Sequence, residues 1–236
     1  FGVQINNETL DIEYNDLARA EFDSDGKITK TADLFFLGGG QNVDESRNKY
    51  GAFFEGEQEF FGSLGLRLAA RYEKVDNFSS LDPKLSLRFS PIEEVTFRIS
   101  RGTSFTMPSM AQMFSSDINL GSVRDLDDNI FVRQARIGNP DLKPATSTNS
   151  NFGFVYDSDV NRFSLDYWEI DYRNRIEAES SQALLDLDPQ GPSITRNENG
   201  ELIAVTTTYF NEENTLISGI DSVSYTHLRA HETKKH

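Results

Sequence analysis

The sequence predicts an all-β chain: an antiparallel up-and-down transmembrane β-barrel, present as an open partial barrel of about eight strands with long loops at one rim. Three observations predict it. Apolar and polar residues alternate at period two, the signature of a strand with unlike faces. Connections between the alternating segments take turns at being short and long. The aromatic residues, 18 Phe and 8 Tyr among them, stand in a chain that is only 37% hydrophobic and 26% charged. That mixture suits a wall with one apolar and one wet face better than it suits a globular core.

The alternation is clearest in Ser63–Tyr72, where Leu64, Leu66, Leu68, Ala70 and Tyr72 point one way and Ser63, Gly65, Arg67, Ala69 and Arg71 the other. Leu85, Leu87 and Phe89 oppose Lys84, Ser86 and Arg88. Val95, Phe97 and Ile99 oppose Thr96, Arg98 and Ser100, and Phe152, Phe154 and Tyr156 oppose Asn151, Gly153 and Asp157. Two places break the rule. Arg101 falls on the apolar side of its strand. Between Phe163 and Tyr172 the aromatics change face, with Phe163, Leu165 and Tyr167 in one register and Trp168, Ile170 and Tyr172 in the other. Either a bulge or looser alternation at a membrane interface accounts for the change.

The connections sort by end. Long polar stretches run from about Asn7 to Asn48, Thr106 to Thr146 and Ala178 to Glu201. Tight turns stand between them at Phe61-Gly62, Pro91–Glu94 and Ser158–Asn161, and a modest connection joins Asp76 to Asp82. In an up-and-down barrel alternate connections emerge at one end, so short turns at one rim and long loops at the other are expected of an outer-membrane barrel. A soluble sandwich or secreted β-rich binding domain would share the alternation but not the sorting of loops. Long structureless loops also count against a compact soluble domain.

Composition excludes several functions. The formal net charge of −15 argues against a nucleic-acid partner. No apolar run is long enough for a membrane helix. The last residues, Val223 to His236, read as the translation of a library-preparation adapter and are set aside as a non-biological tail, leaving 1–222 as the partial barrel. All three histidines (His227, His231 and His236) lie in that tail, and the chain has no Cys. Removing the tail's three basic residues (Arg229, Lys234, Lys235) and one acidic residue (Glu232) from 23 and 38 leaves 20 against 37. Residues 1–222 therefore lack imidazole and thiolate for a metal site or for a His-assisted nucleophile. No cofactor, metal site or catalytic constellation is expected, and the chain is not expected to be an enzyme.

The residues also carry a resemblance. Asp82–Pro91 (DPKLSLRFSP), Arg98–Ser109 (RISRGTSFTMPS), Gly138–Pro144 (GNPDLKP), Ser164–Ile176 (SLDYWEIDYRNRI), Ser218–Asp221 (SGID) and Tyr50–Glu55 (YGAFFE) resemble, in order, stretches of the later barrel region of TonB-dependent receptors. Thr106 stands where that family has arginine, and Ala145 where it has glutamate. The resemblance implies a receptor of the bacterial outer membrane whose full barrel has about 22 strands around an N-terminal plug. Such receptors bind a scarce small-molecule nutrient, commonly a ferric siderophore or another metal chelate, and import it with energy from the TonB complex through the plug, which this sequence does not include. The alternatives are a passive porin-like channel and a soluble secreted β-rich binding domain. The fragment is expected not to fold stably alone, because an open sheet leaves unpaired edges and an apolar face.

Candidate sites are few. Arg124, Arg133 and Arg136 share the longest loop and could bind an anionic ligand in bidentate fashion, although pairing with nearby aspartates is the blander reading. Asp125, Asp127, Asp128 and Asn129 form an acidic cluster without EF-hand spacing and read as solvated charge. Asp23–Gly26 reads as a turn, and Gly38–Gly40 as a flexible loop tip and not a phosphate loop. Tyr50, Phe53, Tyr72, Phe78, Phe105 and Trp168 suit an aromatic girdle, with outer-membrane lipid as the partner. The Gly and Pro residues of the motifs read as architecture.

Overall fold

A computed structural model of the chain describes residues 1–23 and 28–226. Its strands, in chain order, are β1 (Gly2–Ile12), β2 (Glu21–Phe22), β3 (Ile28–Lys30), β4 (Gly39–Gly40), β5 (Val43–Phe60), β6 (Leu64–Val75), β7 (Phe78–Ile92) and β8 (Val95–Thr106). There follow β9 (Ser116–Asp125), β10 (Asp128–Ile137), β11 (Ala145–Asp157), β12 (Asn161–Ala178), β13 (Ile194–Arg196) and β14 (Leu202–Thr226). Two short helices, α1 (Met110–Phe114) and α2 (Ser181–Leu187), interrupt the long connections. No helix is long and apolar enough to cross a membrane.

Among the described residues eight strands form the wall, in the order β1-β5-β6-β7-β8-β11-β12-β14, each antiparallel to the next. Register fixes the two faces. Leu68 lies opposite Leu85, Leu66 opposite Leu87 and Leu64 opposite Phe89. Phe97 lies opposite Phe154, and Phe154 opposite Leu165. Directly opposed residues share a face, so one apolar face runs across the wall. The other face carries the ion pairs Arg67–Glu55, Arg71–Glu73, Arg88–Glu59 and Arg98–Asp166. Gly153 stands between Arg98 and Asp166. A Cβ there would come within 2.2 Å of the carboxylate and 2.5 Å of Arg98 Nε. The absent side chain lets Arg98 Nε donate across the strand to Asp166 Oδ1 at 2.9 Å.

The turns at residues 61–63, 93–94 and 158–160 form the short rim, and the connections 13–42, 107–144 and 179–201 the long one. The modest connection expected at Asp76–Asp82 is a two-residue turn, Asp76-Asn77, because β7 starts at Phe78, before Pro83. Pro83 is tolerated inside β7 because the ladder with β8 reaches only to Lys84, which leaves no lost bond on that side. No bulge lies between Phe163 and Tyr172: β12 pairs with β11 without a register shift. Phe163, Leu165 and Tyr167 continue the apolar face, while Trp168, Ile170 and Tyr172 lie on the polar face. The same parity divides the expected girdle. Tyr50, Tyr72 and Phe105 share the apolar face, but Phe53, Phe78 and Trp168 do not. Trp168 instead lies over Gly219, and its Nε1 donates to Asp221 at 3.0 Å.

The buried core is not in the wall. It sits above the long rim, in a crown sheet of β14, β10, β9 and β4, in that order. The first half of β14 pairs parallel with β10, and β13 flanks its other edge. The stretch from Thr106 to Thr146, expected to be a structureless loop, holds α1 and the β9–β10 hairpin. Ala178–Glu201 holds α2 and β13. On one side of the crown sheet Val123, Val132, Leu202 and Val205 pack with Leu185 of α2 and with Ile194. On the other, Ile118 and Ala135 pack with Ala20, Ala32, Phe22, Ile28 and Phe35 from the 13–42 connection.

Candidate functional site

The crown carries the three arginines that the sequence offers as ligand contacts. Its hairpin turn is held by a bidentate ion pair: Arg196 donates to both oxygens of Asp125, at 2.8 and 2.9 Å. Both side chains are 13% exposed. Arg196 also donates to the carbonyls of Pro189 and Gly200. One guanidinium thus buckles the 179–201 connection onto the tip of β9–β10. The Arg196 hydrogen bonds hold the Asp125 carboxyl below its usual pKa. Asp125 is therefore not the solvated loop charge its sequence neighbourhood suggests. Asp127 is, being fully exposed and 3.8 Å from Arg124. Among the described residues no group of three or more His, Cys, Asp or Glu could hold a metal ion. Asp23 belongs to the described chain, while Ser24, Asp25 and Gly26 of the expected turn, and His227–His236 of the tail, lie outside it. Val223–Thr226 continue β14 against β12. Gly39 and Gly40, expected at a flexible loop tip, are buried and pair with β9.

The three arginines do not converge on one site. Register places Arg124 and Arg133 on the face that carries Ile118 and Ala135, and Arg136 on the opposite face of β10. Nor do aspartates neutralise the inner two. Among the described residues neither Arg133 nor Arg136 forms an ion pair. The Arg133 guanidinium donates to Thr31 Oγ1 at 2.7 Å and lies 5.9 Å from the Phe35 ring centroid. Arg136 lies 5.7 Å from the Tyr209 ring. Both distances suit cation–π contact. Among the described residues each Nε is buried without a hydrogen-bond partner, and burial pulls the Arg133 guanidinium below its usual pKa. Arg124 is the most open of the three, and its backbone is gripped on both sides by the Gln182 amide.

Sequence reasoning missed the crown's organising residues. Ile118, Val123, Ile130 and Val132 carried a strand signal around the turn at Leu126-Asp127. The partner of that hairpin, Arg196, carried none, because its role depends on a residue 71 positions away.

Comparison with known proteins places this architecture. The fold matches a mutant of the ferric enterobactin receptor PfeA of Pseudomonas aeruginosa in complex with enterobactin, with a TM-score of 0.65 and 19% identity, over 93% of this chain and 29% of that one. The siderophore receptor PirA of Acinetobacter baumannii matches at 0.56 and 19%, over 77% and 26%. A mutant of the Serratia marcescens hemophore receptor HasR, in complex with its hemophore HasA and heme, matches at 0.55 and 15%, over 78% and 32%. The chain thus spans about a third or less of each of these receptors. No curated protein matches it in sequence. The model of the family described as TonB dependent receptor-like, beta-barrel matches residues 1–229, nearly the whole chain. With its open antiparallel wall and cored loops at one rim, the chain belongs to the TonB-dependent receptor β-barrel family.

Proposed function

We propose that this chain is part of an outer-membrane active transporter that captures a ferric siderophore or similar metal chelate and imports it with TonB-supplied energy. The observation that carries the reading is the pairing of two unlike structures. A wall with one apolar and one ion-paired face separates lipid from a wet lumen. A crown with its own hydrophobic core stands at one rim only, where an incoming solute arrives. The apolar face then meets outer-membrane lipid, and residues 1–222 form the biological part of the barrel. Arg124, Arg133 and Arg136 are the proposed ligand contacts, with Arg133 and Arg136 favoured because each has a buried donor to spare. They serve opposite faces of the crown, so one ligand does not engage all three at once. No residue is proposed as catalytic.

The test is uptake of radiolabelled ferric enterobactin by cells expressing the full receptor, with and without TonB. Uptake that needs TonB is the expected result. Uptake independent of TonB would favour the passive channel, and recovery of the protein in the soluble fraction would favour a secreted binding domain.

A further inference from the structure

The segment Met107–Ser115 leaves the top of β8 but does not stay there. Within the sheet, β8 is separated from β5 by β7 and β6, yet α1 packs on β1 and β5. The segment therefore runs back along the long rim, past the Asp76-Asn77 turn. That turn is short where its neighbours on the same rim are long, and Phe105, Thr106 and Met107 line one hollow with Val75, the last residue before it.

The segment is held at both ends by different means. At the first end Arg47 of β5, only 5% exposed, donates from Nε to Glu8 Oε2 at 2.7 Å and from Nη1 to the Pro108 carbonyl at 2.8 Å. Lys49 adds a second cation to Glu8 at 2.6 Å. Pro108 and Met110 are buried beside this contact. In the middle, a capping box between Ser109 and Gln112 closes α1. At the far end the Gly138 N–H donates to the Ser115 carbonyl at 2.7 Å, and the Asn139 N–H to the Gln112 carbonyl at 2.9 Å. A Cβ on Gly138 would fall 2.6 Å from the Met113 carbonyl, so the contact tolerates no side chain there. Asn139 Nδ2 then donates to the Tyr209 carbonyl of β14 at 2.9 Å. Asn211 Nδ2 donates to the carbonyls of Lys143 and Asn174, at 2.9 and 2.8 Å.

We infer that Met107–Ser115 is a tie across the long rim that couples the β1–β5 side of the wall to the β12–β14 side, with Arg47 as its one charged, releasable anchor. The far end is backbone hydrogen bonding and close packing, which rearranges only with the crown itself. The near end joins the packing of Pro108 and Met110 to a single guanidinium that bonds a strand carboxylate and a loop carbonyl at once. Arg47 is thus a positioning residue. Its hydrogen bonds go to Glu8 and Pro108, and through Pro108 it sets where the connection into β9 starts.

Hydrogen exchange on the purified full receptor tests this, whatever solute it carries. Arg47→Ala is expected to speed exchange at Met113, Ser115 and Asn139, whose amides report the helix and its far junction, by about tenfold or more. Ile118 and Ala135, in the crown sheet, stay within about threefold of wild type. Arg47→Lys keeps a charge for Glu8 but gathers its donors on one nitrogen in place of the separated Nε and Nη1, so it does not restore slow exchange. Arg98→Ala, which removes a wall ion pair away from the segment, leaves these amides unchanged. Unchanged exchange in Arg47→Ala overturns the inference. So does an equal rise throughout the crown sheet, which would make Arg47 a general stabiliser. Should Arg47→Ala fail to fold, Glu8→Gln gives the same reading at smaller amplitude, and no change there overturns it as well.

Discussion

The wall and the crown are built from one chain by opposite physical means. The wall buries almost nothing: Leu68, Leu85, Phe97, Ile99 and Phe152 are all well exposed, and its order comes from backbone ladders. The crown buries Ile118, Leu142 and Val205 completely and is held by side chains that reach across the sequence. The wall has nothing of its own to cover its apolar face; on the proposed function that cover is lipid. The crown supplies its own core. Polar loops in a membrane barrel therefore need not be structureless, provided they carry enough apolar residues to pack against each other.

This contrast can be broken in the crown first. Arg196→Ala leaves the Asp125 carboxylate buried without its partner, which costs about 3 kcal/mol. Hydrogen exchange along β9–β10 in the full receptor should then rise more than 100-fold, with the wall unchanged. An equal change in the wall would show that the two are one cooperative unit. Nearly as large is Ile118→Ala, expected to cost about 3 kcal/mol because it empties a fully buried site. Ile99→Ala, on the half-exposed apolar face, should stay within about 1 kcal/mol in detergent. Urea denaturation of the two variants compares the regions directly, and similar costs would contradict the difference drawn here.

Two smaller effects sharpen the comparison. The Asp125 carboxyl has a lowered pKa in the folded state, so its contribution is fully present above the unfolded value near 4 and is lost as pH falls through the folded value below it. The stability difference between wild type and Asp125→Asn should therefore be constant above about pH 5 and shrink as pH drops below about 4. A difference independent of pH would mean that the contact is not ionic. In the wall, Gly153→Ala would place a methyl between Arg98 and Asp166. Because that pair is partly solvated, the loss should be only about 1 kcal/mol, read by urea denaturation. A cost equal to that of Arg196→Ala would mean that the wall's ion pairs are as structurally committed as the crown's.

The wall was legible in the sequence because period-two alternation is local. Leu64 to Tyr72 announces a strand and its two faces without help from any distant residue. Where the reading stopped at the face change after Tyr167, register supplied the answer, since parity continues unbroken through Trp168 while residue chemistry does not. The crown was less legible. Ile118 and Val123 lie on opposite faces of β9, each covered by a different connection, so no single apolar stripe marks the strand. The three candidate arginines lie close in sequence but are divided between the two faces of the crown sheet. Sequence proximity, which grouped them, does not record side-chain direction.

By itself, then, the sequence determined the strand faces, the turns of the short rim and the family resemblance, all of which depend on neighbouring residues. The tertiary structure alone decided that β9 and β10 join the first half of β14, that Arg196 closes on Asp125, and that Arg47 ties the 107–115 segment to β5. Those contacts join residues from separate connections, and their stabilities depend on desolvation and geometry that exist only once the chain has closed the loops between them.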